Sequence, residues 1–284
     1  MELKTFNSSL GQVSYRLIGD GPRKILFFHG FPGSSAQIHL FISSLDQHKS
    51  QVICFDRPGY NMTLREPVDM LQDTLQIGNE IIQCYNWVKF EVVAVSGGTP
   101  YAISFAQAYP NFVSGVRIIC GLGYLRIPEI KKYFRGTKIF SLRFLRFIPG
   151  AFIKYIMVPK SGKNSNQRSR LFEFFYPTSP SDRKIIEERN LGGTLSSVLK
   201  EAVVQNARGP IADTKVFLSF WGADLKNFKV PIHFWHGDED RVISYKVSEI
   251  MTKLIPRASF TLVPEEGHLS LPVKRTSDIL SLLL

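Results

Sequence analysis

Short apolar runs that end in glycine or proline alternate with helix-like segments along this chain, and this alternation constrains the fold more than any other feature. The runs at residues 24–32, 51–59 and 89–96 place large apolar side chains directly before a turn, as buried strands do. Residues 69–87 and 100–109 are predicted helices. Strands that alternate with helices pair in parallel through right-handed crossovers. The sequence therefore predicts an α/β fold with a mostly parallel sheet covered by helices on both faces.

The alternation stops after Gly123 and resumes towards the C-terminus with apolar runs at 230–237 and 259–263. A chain of 284 residues is long for one domain, and an insert within a single core accounts for that length. The intervening residues are basic and helix-like. We therefore expect one core interrupted by an inserted, mainly helical cap. The expected boundaries are 1–123 and 216–284 for the core and 124–215 for the cap.

One predicted strand turns sharply into a helix at Ser96. The residues two positions away on either side, Ala94 and Gly98, are small, as the crowding in such a turn requires. A tight strand-to-helix turn strains the backbone and presents the side chain at its tip. The pattern indicates a nucleophilic serine, which needs a general base and a carboxylate that orients the base.

Candidates for the base and the carboxylate follow in the loops after two later strands. Asp240 comes after one predicted strand and His268 after the next. Asp238 and Glu239 compete with Asp240 for the acidic role, and the spacing from the preceding glycine to the following valine favours Asp240. The chain order is therefore serine, aspartate, histidine, which is the order found in α/β-hydrolases.

In three motifs and in this chain order, the sequence resembles the α/β-hydrolase family, in particular its esterase-like serine hydrolases with an inserted helical cap. The motifs are His-Gly-Phe-Pro at 29–32, Asp-Arg-Pro-Gly-Tyr at 56–60 and Ser-Gly-Gly-Thr-Pro-Tyr at 96–101. The resemblance spans the chain outside the cap. The roles that it implies are Ser96 as nucleophile, His268 as general base and acid, Asp240 as orienter of His268, and the backbone amides of Phe31 and Gly97 as the oxyanion hole.

Ala94 and Asn61 stand where the resembling motifs more often have glycine, and neither departure removes a reacting group. The resemblance implies a cofactor-independent serine hydrolase that cleaves a carboxylic ester, or an amide or thioester, through an acyl-enzyme intermediate. A carbon–carbon bond hydrolase and a cofactor-free haloperoxidase are alternatives among enzymes. A ligand-binding or signalling protein that has kept the fold is the alternative outside them. No cofactor and no metal are expected, because the sequence lacks metal-ligand spacing and phosphate-binding or dinucleotide motifs.

The positive charge of the chain is concentrated in the expected cap. Twelve of the 35 Lys and Arg residues but only two of the 24 acidic residues lie between positions 126 and 173, so this segment accounts for +10 of the net +11. The charge predicts a small-molecule ester substrate of anionic or lipid-like character and peripheral membrane contact through the cap. A solvated surface is the alternative interpretation. No nucleic-acid-binding module accompanies the charge, so nucleic acid is not an expected partner.

The sequence also indicates where the protein resides. Charged residues and a Pro-Gly pair interrupt the apolar stretch at 139–158, which argues against a transmembrane segment. Three widely spaced cysteines form no disulfide framework, and all three are expected to be buried small side chains. The first residues lack the basic and apolar regions of a secretion signal, so secretion is not expected. These features predict a cytoplasmic protein.

Overall fold

An eight-stranded sheet forms the centre of the part of the chain that the structure, a computed structural model, describes. Strand order across the sheet is β1-β2-β4-β3-β5-β6-β7-β8. The strands are β1 Lys4–Ser8, β2 Gly11–Ile18, β3 Arg23–Phe28, β4 Ser50–Phe55, β5 Phe90–Val95, β6 Val113–Ile119, β7 Ile232–Gly237 and β8 Ala258–Val263. The structure describes residues 2–41, 49–63, 66, 68–134, 144–157 and 177–281, without the side chains of 146 and 155–157.

The six strands from β3 to β8 pair in parallel, as the alternation of apolar runs and helices predicted. The pair β1 and β2, which the sequence did not reveal, joins β4 in antiparallel orientation. Segments from both sides of the expected cap complete the same sheet, because β7 lies beside β6. The predicted α/β fold class is confirmed.

Helices cover both faces of the sheet. Along β3, Leu26 and Phe28 point into a core that α1 and α2 share, whereas Ile25 and Phe27 point into a second core beneath α9. This arrangement explains why the parallel strands are apolar at nearly every position. The helices are α1 Met70–Cys84, α2 Thr99–Ala108, α3 Pro128–Lys131, α4 Gly150–Met157, α5 Pro180–Glu188, α6 Gly192–Val203, α7 Arg208–Leu218, α8 Lys246–Leu254 and α9 Ser270–Ser281.

The described part of the expected cap contains α3 to α6 and most of α7. Its boundaries at 124 and 215 stay a prediction. Among the helices in the described residues, none is both long and apolar enough to cross a bilayer. The cysteine expectation is wrong at one position: Cys54 and Cys120 are buried, but Cys84 at the end of α1 is exposed. A helix end that faces solvent on one side can expose its last residues, and periodicity does not locate that end reliably.

Candidate functional site

Ser96 lies at the turn between β5 and α2. Its backbone φ is +53°, a left-handed conformation that costs a non-glycine residue about 1–3 kcal/mol. The Thr99 hydroxyl donates to the Ser96 carbonyl at 2.7 Å and helps to hold the turn. A Cβ on Gly98 would lie 2.4 Å from the Phe28 carbonyl oxygen, so this position must be glycine. The strained, crowded turn predicted from the sequence is present.

Asp240 and His268 lie in the loops after β7 and β8 and are hydrogen-bonded to each other. His268 Nδ1 is 2.7 Å from Asp240 Oδ2. The other carboxylate oxygen of Asp240 accepts the backbone N–H groups of Val242 at 2.8 Å and Ile243 at 2.9 Å. Burial alone would raise the pKa of Asp240, but the His268 charge and hydrogen bonds from two histidines outweigh it and hold that pKa well below its usual range. Asp240 is therefore a buried, ionised carboxylate.

The second histidine on Asp240 is His236, the first residue of the His-Gly-x-x-Asp run. Its Nε2 is 3.0 Å from Asp240 Oδ2 and 3.0 Å from the Ile243 carbonyl oxygen. Both partners are acceptors, so Nε2 must carry a proton. The opposite nitrogen, Nδ1, is 2.7 Å from the Ser248 hydroxyl. The sequence did not show that the hydrogen-bonding partner of His236 is the candidate catalytic carboxylate.

The two acids that competed with Asp240 have other partners. Asp238 Oδ1 accepts the backbone N–H of Glu265 at 2.8 Å, and this bond closes the loop after β8. Glu239 Oε2 accepts the hydroxyl of Ser181, which belongs to α5, at 3.0 Å. Of these three carboxylates, Asp240 is the one whose side chain contacts His268 in the described structure.

The segment after β6 connects the Ser96 turn with the His268 loop. The backbone N–H of Leu122 donates to the Ser96 carbonyl at 3.0 Å. Cys120 Sγ lies 3.8 Å from the carbonyl oxygen of Gly267, which directly precedes His268. Because β5 to β8 are parallel neighbours, their carboxyl ends meet at one edge of the sheet, where α/β proteins commonly bind ligands. Ser96, Asp240 and His268 all follow strands that end at this edge.

The predicted oxyanion-hole residues also meet at this edge. The amide nitrogen of Phe31 lies 3.2 Å from the position that a Cβ on Gly97 would occupy, and the Phe31 Cβ lies 2.6 Å from it. The Phe31 ring packs edge-on against Phe217 of α7, with the ring centroids 5.1 Å apart. Glycine at position 97 thus allows Phe31 and Phe217 to approach the Ser96 turn closely.

A buried ion pair lies behind the Phe31 loop. The guanidinium of Arg57 donates to both carboxylate oxygens of Asp213 on α7, at 2.6 and 3.3 Å, and both side chains are fully buried. The hydroxyl of Tyr60 donates to the same carboxylate at 2.6 Å, and the hydroxyl of Tyr101 donates to it as well. Burial alone would lower the pKa of Arg57, but the Asp213 charge outweighs it and raises that pKa. Sequence reasoning missed Asp213, which no motif marks.

The same guanidinium holds the Phe31 peptide. Arg57 donates to the His29 carbonyl at 2.7 Å and to the Gly30 carbonyl at 3.3 Å. His29 Nδ1 is 2.9 Å from the Gly30 carbonyl oxygen, and this contact makes it a second donor to that oxygen. The Gly30 C=O and the Phe31 N–H belong to one planar peptide unit, so fixing the carbonyl fixes the direction of the N–H. Arg57 of the Asp-Arg-Pro-Gly-Tyr motif therefore holds the loop that contains Phe31.

One group of side chains in the described residues has the proximity that a metal ion would need. Donor atoms of Cys120, His236 and Asp240 lie within 4.8 Å of one another. However, both oxygens of Asp240 and both ring nitrogens of His236 already take part in the hydrogen bonds described above. The group is better explained as the hydrogen-bonded support of Asp240 than as a metal centre.

Comparison with known proteins identifies the family. Residues 24–274 match the alpha/beta hydrolase fold family. This match covers most of the chain, and the chain belongs to that family.

Individual relatives are distant. Monoacylglycerol lipase ABHD6 from Bos taurus is 21% identical over 253 residues, which are 86% of this chain and 69% of the lipase. An enol-lactonase from Burkholderia xenovorans LB400 matches with a TM-score of 0.69 at 12% identity, over 98% of this chain and 100% of its own. A carboxylesterase structure from Nitrososphaera gargenis matches with a TM-score of 0.69 at 16% identity, over 98% and 96%. The family and these lipase and esterase relatives support a hydrolase.

Proposed function

We propose that this protein is a cofactor-independent serine hydrolase that cleaves carboxylic esters through an acyl-enzyme intermediate. The observation that carries the proposal is the 2.7 Å hydrogen bond between His268 and the buried carboxylate of Asp240, at the sheet edge where the strained Ser96 turn lies. A carboxylate that is held ionised in the protein interior has the property needed to stabilise an imidazolium. The lipase and esterase relatives agree with ester chemistry.

Acylation would begin with attack of the Ser96 hydroxyl oxygen on the ester carbonyl carbon. His268 Nε2 takes the hydroxyl proton and then gives it to the departing alcohol oxygen, while the bond to that oxygen breaks. Asp240 stays ionised and holds Nδ1–H, so that Nε2 faces the serine. In deacylation, His268 takes a proton from water, the water oxygen attacks the acyl carbon, and the proton returns to Ser96 as the acid leaves.

The backbone amides of Phe31 and Gly97 would donate to the oxygen that becomes negative in both steps. Each donor of this kind is typically worth about 3–4 kcal/mol of barrier, or roughly 10²- to 10³-fold in kcat. Such donors are effective only when they point to one place before the substrate binds. The hydrogen bonds from Arg57 and His29 to the Gly30 carbonyl support this preorganisation.

The surroundings favour an ester with an apolar part. Phe31 and Phe217 flank the proposed oxyanion hole, and the side chains of both are apolar. The basic cap favours anionic or lipid-like substrates and contact with an anionic membrane surface. The distant lipase relative acts, by its name, on a monoacylglycerol.

Turnover of a p-nitrophenyl ester by purified wild-type protein and the Ser96→Ala variant tests the proposal. Ser96→Ala should retain its fold and lose nearly all turnover, whereas Ser281→Ala, which removes an exposed hydroxyl at the end of α9, should match the wild type. Equal turnover by Ser96→Ala and wild type would contradict the nucleophile assignment. A folded wild type that turns over no ester, and whose Ser96 stays unlabelled by a fluorophosphonate, would favour a ligand-binding role.

A further inference from the structure

Helix α5 begins against the loop that carries His268. Its N-cap, Ser179, accepts the backbone N–H of Asp182 at 3.0 Å, and the Asp182 carboxylate accepts the backbone N–H of Ser179 at 3.2 Å. This reciprocal pair satisfies amide groups that every helix start leaves without partners inside the helix. Only one oxygen of Asp182 is used in this way.

The other oxygen of Asp182 reaches out of the cap into the core. It accepts the backbone N–H groups of Leu269 at 2.8 Å and Ser270 at 2.9 Å, the first two amides after His268. These amides open α9, whose N-terminus favours a nearby negative charge. Asp182 is almost completely buried. One carboxylate therefore closes the starts of two helices and fixes the backbone on the C-terminal side of His268.

The residue on the N-terminal side of His268 packs against the same helix start. A Cβ on Gly267 would lie 2.2 Å from Ser179 Oγ and 2.5 Å from Asp182 Oδ1. Non-bonded atoms overlap sterically at these distances, so the loop and α5 approach each other more closely than any side chain at position 267 would allow.

Helix α5 also contacts the loop of the candidate acid. The hydroxyl of Ser181 donates to Glu239, the residue directly before Asp240, at 3.0 Å. The backbone N–H of Glu239 donates in turn to the Glu266 carbonyl at 3.0 Å, which joins the Asp240 and His268 loops. Residues 179–182 therefore touch both loops whose side chains form the Asp240–His268 hydrogen bond.

We propose that Asp182 is a positioning residue for the reaction: its carboxylate holds the backbone around His268 so that the imidazole lies correctly between Asp240 and Ser96. This inference rests on the proposed function and extends it, because it gives the start of α5 a part in catalytic geometry. A misplacement of about 1 Å in a catalytic group can cost on the order of 10²-fold in rate.

Two variants disturb the contact between Asp182 and the loop that carries His268, one from each side, and each variant has a matched control. Asp182→Ala removes the carboxylate, and Gly267→Ala forces the loop away while Asp182 stays intact. Asp69→Ala, which deletes the exposed N-cap carboxylate of α1, controls for the loss of a helix cap. Gly193→Ala in α6, where an added Cβ meets nothing within 4 Å, controls for the glycine substitution. Asp182→Asn, which keeps one carbonyl oxygen as acceptor, is the conservative variant.

The assay is steady-state kinetics on a small neutral p-nitrophenyl ester, at a temperature where circular dichroism shows all variants folded. Asp182→Ala and Gly267→Ala should lower kcat about 10²-fold with KM within about threefold of wild type, because they move a reacting group and leave the substrate site in place. Asp182→Asn should recover most of that loss. Both controls should match the wild type.

A second measurement does not depend on turnover. The far-downfield proton resonance of His268 Nδ1–H in the Asp240 hydrogen bond, assigned by its loss in His268→Ala, should broaden or shift in Asp182→Ala and remain in Asp69→Ala.

Unchanged kcat and an unchanged resonance in Asp182→Ala would overturn the inference, and so would a raised KM with unchanged kcat. Full activity of Ser96→Ala, or an inactive wild type, would instead refute the proposed function. The resonance would still decide whether Asp182 positions His268.

Discussion

Removing the Asp213 carboxylate should be among the most destabilising single changes in this protein. Asp213 is fully buried, pairs with the fully buried Arg57 and accepts the hydroxyls of Tyr60 and Tyr101. Asp213→Ala leaves the guanidinium charge in the interior without a counter-charge. Breaking a buried pair in this way typically costs about 3–5 kcal/mol. At about 2 °C per kcal/mol for a chain of this size, the melting temperature should fall by roughly 6–10 °C.

Urea denaturation measures the free energy of unfolding, and two comparisons isolate the buried charge. The double variant Arg57→Met/Asp213→Ala should be more stable than Asp213→Ala, since it leaves no unpaired charge. Glu188→Ala, which deletes the exposed pair with Lys184, should change the free energy by less than about 1 kcal/mol. A loss below about 1 kcal/mol in Asp213→Ala, or a double variant no more stable than the single one, would refute the reasoning.

Three further predictions concern the candidate acid, pH and salt. Asp240→Asn should lower kcat by about 10⁴-fold and Asp238→Asn by less than about tenfold; the reverse order in ester kinetics would move the acidic role to Asp238. Burial, assisted by a nearby arginine, lowers the pKa of His233 to about 4, so the unfolded chain binds a proton below pH 6.5 that the folded chain does not bind. The free energy of unfolding should therefore fall as the pH is lowered from 6.5 to 4. The variant His233→Asn should reduce this dependence in urea titrations, and an unchanged pH dependence would contradict the assignment. Exposed charges are screened beyond about 8 Å at physiological ionic strength, so kcat/KM on an anionic ester should fall as salt rises, while kcat on a neutral ester should stay flat. Charge reversal to glutamate at the exposed Lys131 and Lys132 should weaken the salt dependence of kcat/KM on the anionic ester. Identical salt profiles for both substrates and both proteins would indicate that the positive charge of residues 126–173 is a solvated surface.

The parallel part of the sheet was predictable because most of its strands are buried on both faces and therefore read as largely apolar runs. Strand β5 shows this clearly, because five of its six residues are apolar and Glu91 is the exception. The hairpin of β1 and β2 was not predictable in the same way. β1 lies at the sheet edge with Lys4, Thr5 and Asn7 exposed, so it carries no apolar run.

The placement of Ser96, Asp240 and His268 at one edge of the sheet could be predicted, because each lies in the turn or loop after a strand and parallel strands bring their carboxyl ends together. The residues that support them could not. Asp213 meets Arg57 across 156 positions of sequence, and Asp182 meets Leu269 across 87. The capping pattern from Ser179 to Asp182 marks a helix start, but only the packing of α5 on the loop after β8 determines which other amides that carboxylate reaches.

Covalent labelling tests the central claim most directly. A fluorophosphonate reacts with a serine only where a base activates the hydroxyl and donors stabilise the resulting tetrahedral anion. Mass spectrometry of the labelled wild type should find one adduct, on the peptide that contains Ser96. Ser96→Ala should remain unlabelled, and His268→Ala should label far more slowly. A folded wild type without an adduct on Ser96, or equal labelling of Ser96→Ala, would contradict the account.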